Sequence, residues 1–254
     1  MTATDIMAGP TLAHGGKTVF GAAVGILMLD TRFPRIPGDM GNASSWPFPV
    51  LYRVVRGASP EHVVKREASG LLPEFVAAAR DLVADGADGI TTNCGFLALF
   101  QNALAEAVDV PVASSSLMQV PLVQRLLPPH KVPGIVTICA ETLSDSHLSA
   151  CGVPLDTPVI GTDNGEEFSR VILGDEKMLD VGKARADVLA ASRQLLERSP
   201  QVGALVLECT NMVPYAAYLR EQLRMPVFSI YSFVQWFHAG LLPRSFSARL
   251  GDPR

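Results

Sequence analysis

Two cysteines stand at matching places in this chain. "ITTNCGFLAL" (Ile90 to Leu99) and "LVLECTNMVP" (Leu205 to Pro214) each pass from an apolar strand-like run into a helix-like one, with Cys94 and Cys209 at the break. A thiol has a reference pKa of about 8.5, near enough to neutral for its surroundings to move it either way. At a helix start the thiolate is favoured by the dipole and by backbone N–H groups that lack partners. Two such groups facing one ligand can take a proton from one face of a carbon and return one to the other, as racemisation requires, each alternating as acid and base. The amides that follow each cysteine are also donors for a substrate carboxylate. In the first turn these belong to Gly95 and Phe96, where Gly95 permits close backbone approach; in the second they belong to Thr210 and Asn211, whose side chains add donors. Asn93, next to Cys94, is placed to orient the substrate or the thiolate.

The elements that must position these residues follow from an alternation of apolar runs and helical patterns, which argues for parallel α/β units. The expected strands are 19–29, 50–55, 87–92, 110–113, 132–139, 157–161, 203–208 and 226–229. The expected helices are 61–84, 95–107, 116–127, 141–150, 176–198, 212–223 and 231–241. Self-comparison adds a repeat. Cys94 and Cys209 are 115 positions apart, and at the same offset Leu104 meets Leu219, Glu106 meets Glu221, Ser114 meets Ser229 and the "PV" of Pro111-Val112 meets that of Pro226-Val227. "GILMLDT" (Gly25 to Thr31) matches "GIVTICA" (Gly134 to Ala140) at an offset of 109. An ordered series of matches describes two related halves. Ligands of open parallel sheets sit outside the carboxyl ends of the strands. Halves facing each other across a pseudo-twofold axis therefore bring both sulfurs to one cleft. The fold class expected is α/β, with two pseudo-symmetric subdomains of parallel sheets flanked by helices and an active site in the cleft between them.

Composition narrows the alternatives. The chain has 254 residues, 48% of them hydrophobic and only 18% charged, with a mean hydropathy of +0.25. This suits strands buried on both faces. A net charge of −4 without a Lys/Arg block speaks against nucleic acid and anionic membrane as partners. The longest apolar run, Val19 to Leu29, is too short to span a bilayer. Only Lys17 precedes it as a basic residue close by, so it reads as a buried first strand behind a disordered tail, 1–17, and not as a signal peptide. The expected location is the cytoplasm, with the four cysteines reduced. No Cys/His cluster has metal spacing, and no phosphate or dinucleotide loop is present. The expectation is chemistry from side chains, with no cofactor and no metal.

The paired "TNCG" and "ECTN" segments within tandem α/β halves resemble the aspartate/glutamate racemase superfamily, which includes glutamate, aspartate and hydantoin racemases, arylmalonate decarboxylase and maleate isomerase. The resemblance covers nearly all the chain after about residue 18. It implies a cofactor-independent enzyme with Cys94 and Cys209 as acid and base. Thr210 matches the threonine that follows the second cysteine in amino-acid racemases, and Thr142, in "CAETLS", looks like their carboxylate-binding threonine. In this family the last helix of each half packs across onto the other. The expected division is thus 18–116 plus 230–254 for the first subdomain and 117–229 for the second.

The departures from the family pattern bear on substrate. Gly95-Phe96 stand where glutamate racemases have Asn-Thr, Asn211 stands in place of His, and Asp30-Thr31 in place of Asp-Ser. Glutamate is not assigned, and assistance to the thiolate falls to Asp30 or Glu208. Two cysteines argue against decarboxylation, since the single-cysteine decarboxylases lack the first. The leading expectation is a racemase or epimerase inverting a carbon next to a carboxylate or carbonyl of an amino acid or related small acid. The alternatives are a maleate-type cis–trans isomerase, a decarboxylase of the same superfamily, and a non-catalytic small-acid binding protein. A redox sensor would pair Cys94 with Cys209.

Several residues carry competing readings. Cys139 and Cys151 have no counterpart in the other half and read as inert small hydrophobes. Strand alternation points Glu208 away from Cys209, toward a helix or solvent, and a salt-bridged or solvated acid weighs equally with a role in tuning the thiol. Asp30 either enters the cleft or caps a turn. The serines at 114–116 cap the next helix by default, with a substrate contact from Ser115 or Ser116 as the alternative. His147 reads as a solvated surface residue, and none of the five histidines suggests a metal site. The irregular stretch Asp30 to Pro49 has the character of a binding loop. Arg32 or Arg35 would meet a second carboxylate there, unless the loop packs on a neighbouring subunit of a homo-oligomer.

Overall fold

The computed structural model describes residues 12–245. Residues 1–11 of the expected tail and 246–254 of the C-terminal segment lie outside the described residues.

Eight short strands form two sheets of four. β1 (Val24–Leu29), β2 (Val50–Val55), β3 (Gly89–Thr92) and β4 (Val112–Ala113) make the first, in the order β2-β1-β3-β4. β5 (Val132–Thr137), β6 (Val159–Gly161), β7 (Val202–Leu207) and β8 (Val227–Phe228) make the second, in the order β6-β5-β7-β8. All pairings are parallel. The second sheet repeats the first strand for strand, as the repeat predicts. Every residue of β1 and β3 is buried, which the unbroken apolar runs require of a sheet covered on both faces. Gly25 and Gly134, matched in the repeat, do the same work. A Cβ on Gly25 would crowd Leu82 and Ile90, and one on Gly134 would crowd Leu195 and Val202. Each glycine lets a long helix lie close on its sheet.

Those helices are α2 (Leu72–Asp85) on the first sheet and α7 (Val181–Arg198) on the second. α2 follows α1 (Pro60–Lys65), and the two replace the single helix expected over 61–84. Glu67, Ala68 and Gly70 all have positive φ there, and Pro73 opens the second helix. α6 (Phe168–Leu173), ahead of α7, had no clear sequence signal. α3 (Gln101–Ala107), α4 (Val120–Leu126), α5 (Asp145–Ala150) and α8 (Ala216–Leu223) lie as expected within a few residues. α9 (Ile230–Leu241) follows β8 of the second half, yet packs Ile230, Phe233 and Val234 with Val24, Ile26 and Met28 of the first sheet. α4, which follows the first half, packs on the second sheet through β5. Each half thus closes the other.

Candidate active site

After β3 and after β7 the chain makes the same move: one polar residue, one cysteine, then a 3-10 turn that runs on into a helix. The turns are Gly95–Phe100 and Thr210–Tyr215, 115 residues apart like the cysteines. Cys94 and Cys209 are their N-caps in extended conformation, each just past the carboxyl end of its strand. Among the described residues, both line one pocket together with Asn93, Gly95, Phe96, Glu208, Thr210 and Asn211. Arg35, Phe33 and Leu29 close it from the first half, and Ile138, Ile172 and Leu173 from the second. No disulfide joins the cysteines.

The two turns are tied to each other. Thr210 Oγ1 donates to the Asn93 carbonyl at 2.5 Å. Asn93 is fixed in turn because its Oδ1 accepts from Leu29 N at 2.8 Å and its own N–H donates to the Leu27 carbonyl. Its Nδ2 is buried with no partner among the described residues, a donor left at the pocket wall. Asn211 is held from the loop after β1. Its Nδ2 donates to Asp39 Oδ2 at 2.6 Å, and Asp39 also accepts from Arg35 Nη1 at 2.7 Å. With Nδ2 so engaged, Asn211 Oδ1 is the atom left for the Cys209 thiol, which donates to it at 3.6 Å. Arg35 Nη2 donates to Thr31 Oγ1 at 2.9 Å. The loop over 30–49 is therefore pinned by buried charge and reaches the second cysteine through Asn211. Arg32 instead pairs with Asp175, away from the pocket.

Electrostatics hold both thiols in the protonated form. Burial first, and then the Glu208 charge, push Cys94 up to about 12, while the Phe96 and Leu97 amides and Arg35 act in the opposite sense. Burial and Glu208 likewise raise Cys209 well above an ordinary thiol, and Cys94 adds to the effect. The Cys209 thiol thus feels the Cys94 thiol, as expected of neighbours in one pocket.

Glu208 and His147 depart from their sequence readings. β7 ends at Leu207, so strand alternation no longer governs residue 208. Glu208 is fully buried, with neither solvent nor a salt bridge: Oε2 accepts from Thr137 Oγ1 at 2.7 Å and Oε1 has no partner among the described residues. His147 is fully buried rather than on the surface, because α5 docks on the first cysteine's turn. Its ring meets Phe96 edge-on at 5.0 Å, and Nδ1 pairs with Ser144.

Besides Arg32, four candidates stand outside the pocket lining. Asp30 accepts from Arg56 and from Gly57 N in a turn. Ser116 Oγ donates to the Leu207 carbonyl at 2.7 Å and the Glu208 carbonyl at 3.2 Å, so it fixes the strand end that carries Glu208 and Cys209. Ser115 caps the turn that follows β4. Thr142 lies beside Cys139 with its hydroxyl buried and unpartnered among the described residues. Cys139 lines a separate open groove. Asp39 and Thr137 were missed by the sequence reading, since neither stands near Cys94 or Cys209 in the chain.

No protein-family model matches the chain. It is 29% identical over 231 residues to dimethylsulfoniopropionate lyase 7 of Emiliania huxleyi (strain CCMP1516), an alignment covering 87% of this chain and 67% of that protein. It is 26% identical over 232 residues to the dimethylsulfoniopropionate lyase of Durusdinium sp. clade D, covering 87% and 75%. Among solved structures, allantoin racemase from Klebsiella pneumoniae superposes with a TM-score of 0.60 at 19% identity, over 91% of this chain and 97% of that one. Glutamate racemase from Bacillus anthracis gives 0.55 at 16% identity, over 87% and 84%. The fold of this chain, two like parallel sheets with a cysteine beyond the edge of each, is shared with these two racemase structures.

Proposed function

We propose that the protein is an enzyme that removes the proton next to the carboxylate of a small acid, using a pocket thiol as base, and that the proton loss drives elimination of a β-substituent. Dimethylsulfoniopropionate is the substrate to test first, a choice supported by the names of the sequence relatives. The observation that carries the reading is the presence of both cysteines, one from each half, in the lining of a single pocket. The lining is largely apolar, which strengthens each polar contact inside it. Arg35 and the free Nδ2 of Asn93 are the donors available to a carboxylate whose charge grows as the α-proton leaves.

The step balances without a cofactor. A thiolate takes the α-proton and becomes a thiol. The electron pair of the C–H bond becomes the new C=C bond. The bond from the β-carbon to the sulfonium sulfur breaks, with its pair leaving on sulfur, to give dimethyl sulfide and acrylate. A sulfonium departs as a neutral sulfide, so no second negative charge builds up in the pocket.

A second reading, racemisation, is favoured by the presence of two thiols, because elimination needs only one base. The two separate by product. Under reducing conditions the purified protein should release dimethyl sulfide from dimethylsulfoniopropionate, measured in the headspace, and Cys94→Ser or Cys209→Ser should lower this at least ~100-fold for the thiol that is the base. Deuterium entry at the α-carbon of chiral acids in D2O, without sulfide release, supports racemisation. Neither sulfide release nor exchange over a panel of small acids, hydantoins and allantoin would sink both.

A further inference from the structure

Glu208 is the one pocket residue whose chemistry the foregoing leaves unused. It is fully buried, lines the pocket with both cysteines, and packs its Oε1 against Gly95, the residue after Cys94. Thr137 supplies the single hydrogen bond to its carboxyl, on Oε2. The titratable groups that face it are thiols: Cys94 from the first turn, Cys209 beside it, and Cys151 at the end of α5, each of which its charge raises. Beyond them, Arg35 and Asp39 from the loop pair with each other, and His147 on α5 is engaged with Ser144. No cation reaches the Glu208 carboxyl among the described residues. Burial, partly offset by the Thr137 hydroxyl, pushes it up to about 7.

The geometry sets a charge limit. A dry pocket whose one guanidinium is already paired tolerates one negative charge far better than two. A thiol can become a thiolate there without changing the net charge if its proton moves to the carboxylate beside it. We propose that Glu208 is the proton store of this pocket, its carboxylate taking the proton of the Cys94 thiol so that the thiolate and a neutral carboxylic acid coexist while the substrate is deprotonated. The exchange conserves charge and atoms: the S–H bond breaks, an O–H bond forms on Oε1, and no electron pair leaves the pair of residues. When the substrate proton reaches the sulfur, the pocket holds a thiol and a carboxylic acid, one proton in excess. The carboxyl, whose proton is the less tightly held of the two, is the group that gives it up at neutral pH. This rests on the reading of the thiols as proton-transfer groups, but its test does not need a substrate.

The test is the pH dependence of iodoacetamide alkylation of Cys94 in the full chain, with each cysteine followed by peptide mass spectrometry. In wild type, alkylation of Cys94 should rise through a step near neutral pH as the pair loses its first proton. Glu208→Gln removes the acceptor and should abolish that step and slow Cys94 alkylation at pH 7.5 by about tenfold or more. If Glu208 were only a buried charge next to the thiol, deleting it would relieve repulsion and make Cys94 react faster, and that outcome overturns the proposal. Thr137→Val keeps the carboxyl but removes its donor, and should move the step up by about half a pH unit or more. An unmoved step in this variant also overturns the proposal, and it decides the case if Glu208→Gln does not fold. Absence of sulfide release and of α-exchange in wild type would count against the proposed function alone and would leave the alkylation profile readable.

Discussion

The Thr210 hydroxyl donates to the carbonyl of Asn93 across a separation of 117 residues, and each of the two is a direct neighbour of a pocket cysteine. This short hydrogen bond fixes one turn against the other at the point where the two cysteines line one pocket. Both residues are buried, so its loss leaves a carbonyl without a partner in a dry place. Thr210→Val keeps the side-chain shape and removes only the donor. It should cost about 1–3 kcal/mol in denaturant unfolding and lower turnover by about tenfold or more through misplacement of the cysteines. Normal turnover with the stability loss alone would show that the turns keep their spacing without it.

Gly95 carries a second prediction. A Cβ at this position would overlap Glu208 Oε1 and come within 2.5 Å of the Glu208 carbonyl oxygen. The carboxyl has flexible bonds, but the carbonyl belongs to a strand end that Ser116 also holds. Gly95→Ala should therefore force the two halves apart, cost about 1–3 kcal/mol, and abolish activity. A variant as stable and active as wild type would mean that the turns are not in contact as described.

Much of this site was legible from local signals. The offset of 115 positioned the two cysteines, the two strand-to-helix turns that carry them and the two "PV" strands, because each half repeats one local pattern; that each helix opens with a 3-10 turn was not read from the sequence. The break between α1 and α2 was also written in the chain: Gly70 and Pro73 are poor helix-interior residues, and the expected helix ran through both. What stayed hidden belongs to contacts between the halves. His147 looked like a solvated helix residue because nothing in "SDSHLSA" announces that Phe96 of the other half will cover it. Glu208 was assigned to a strand face when it stands one residue beyond the strand. Asp39 sits in an irregular loop, 170 residues from the cysteine it serves, so no pattern of spacing could single it out.

Asp39 yields a prediction in which two readouts move in opposite directions. It fixes the amide of Asn211, turning Oδ1 toward the Cys209 thiol, and it neutralises Arg35. Its charge also raises Cys209. Asp39→Ala should release the Asn211 amide and the Arg35 guanidinium together. Alkylation of Cys209 should then speed up, as repulsion is removed and an unpaired cation is left nearby, while turnover falls about tenfold or more from lost positioning. A parallel fall in both readouts would point to local unfolding in place of the relay.

The buried carboxyl of Glu208 makes stability itself depend on pH. Its native value lies near 7, raised from an ordinary 4.5 chiefly by burial. A raised carboxyl keeps its proton in the native state after the unfolded chain has lost it. Its contribution is fully present below the unfolded value and is lost as pH rises through the native one. For wild type this amounts to about 3 kcal/mol lost between pH 4 and pH 8, since each tenfold difference in proton affinity between the folded and unfolded chains corresponds to ~1.4 kcal/mol. Glu208→Gln cannot ionise, so its unfolding free energy should lack this decline. Urea denaturation of both proteins at intervals over that range, followed by circular dichroism, gives the difference directly. The variant should gain on wild type steadily as pH rises from about 4.5 to 7 and then run parallel to it. Curves that stay parallel throughout would mean that the carboxyl titrates in the folded protein as it does in the unfolded chain, and that water or a cation reaches it.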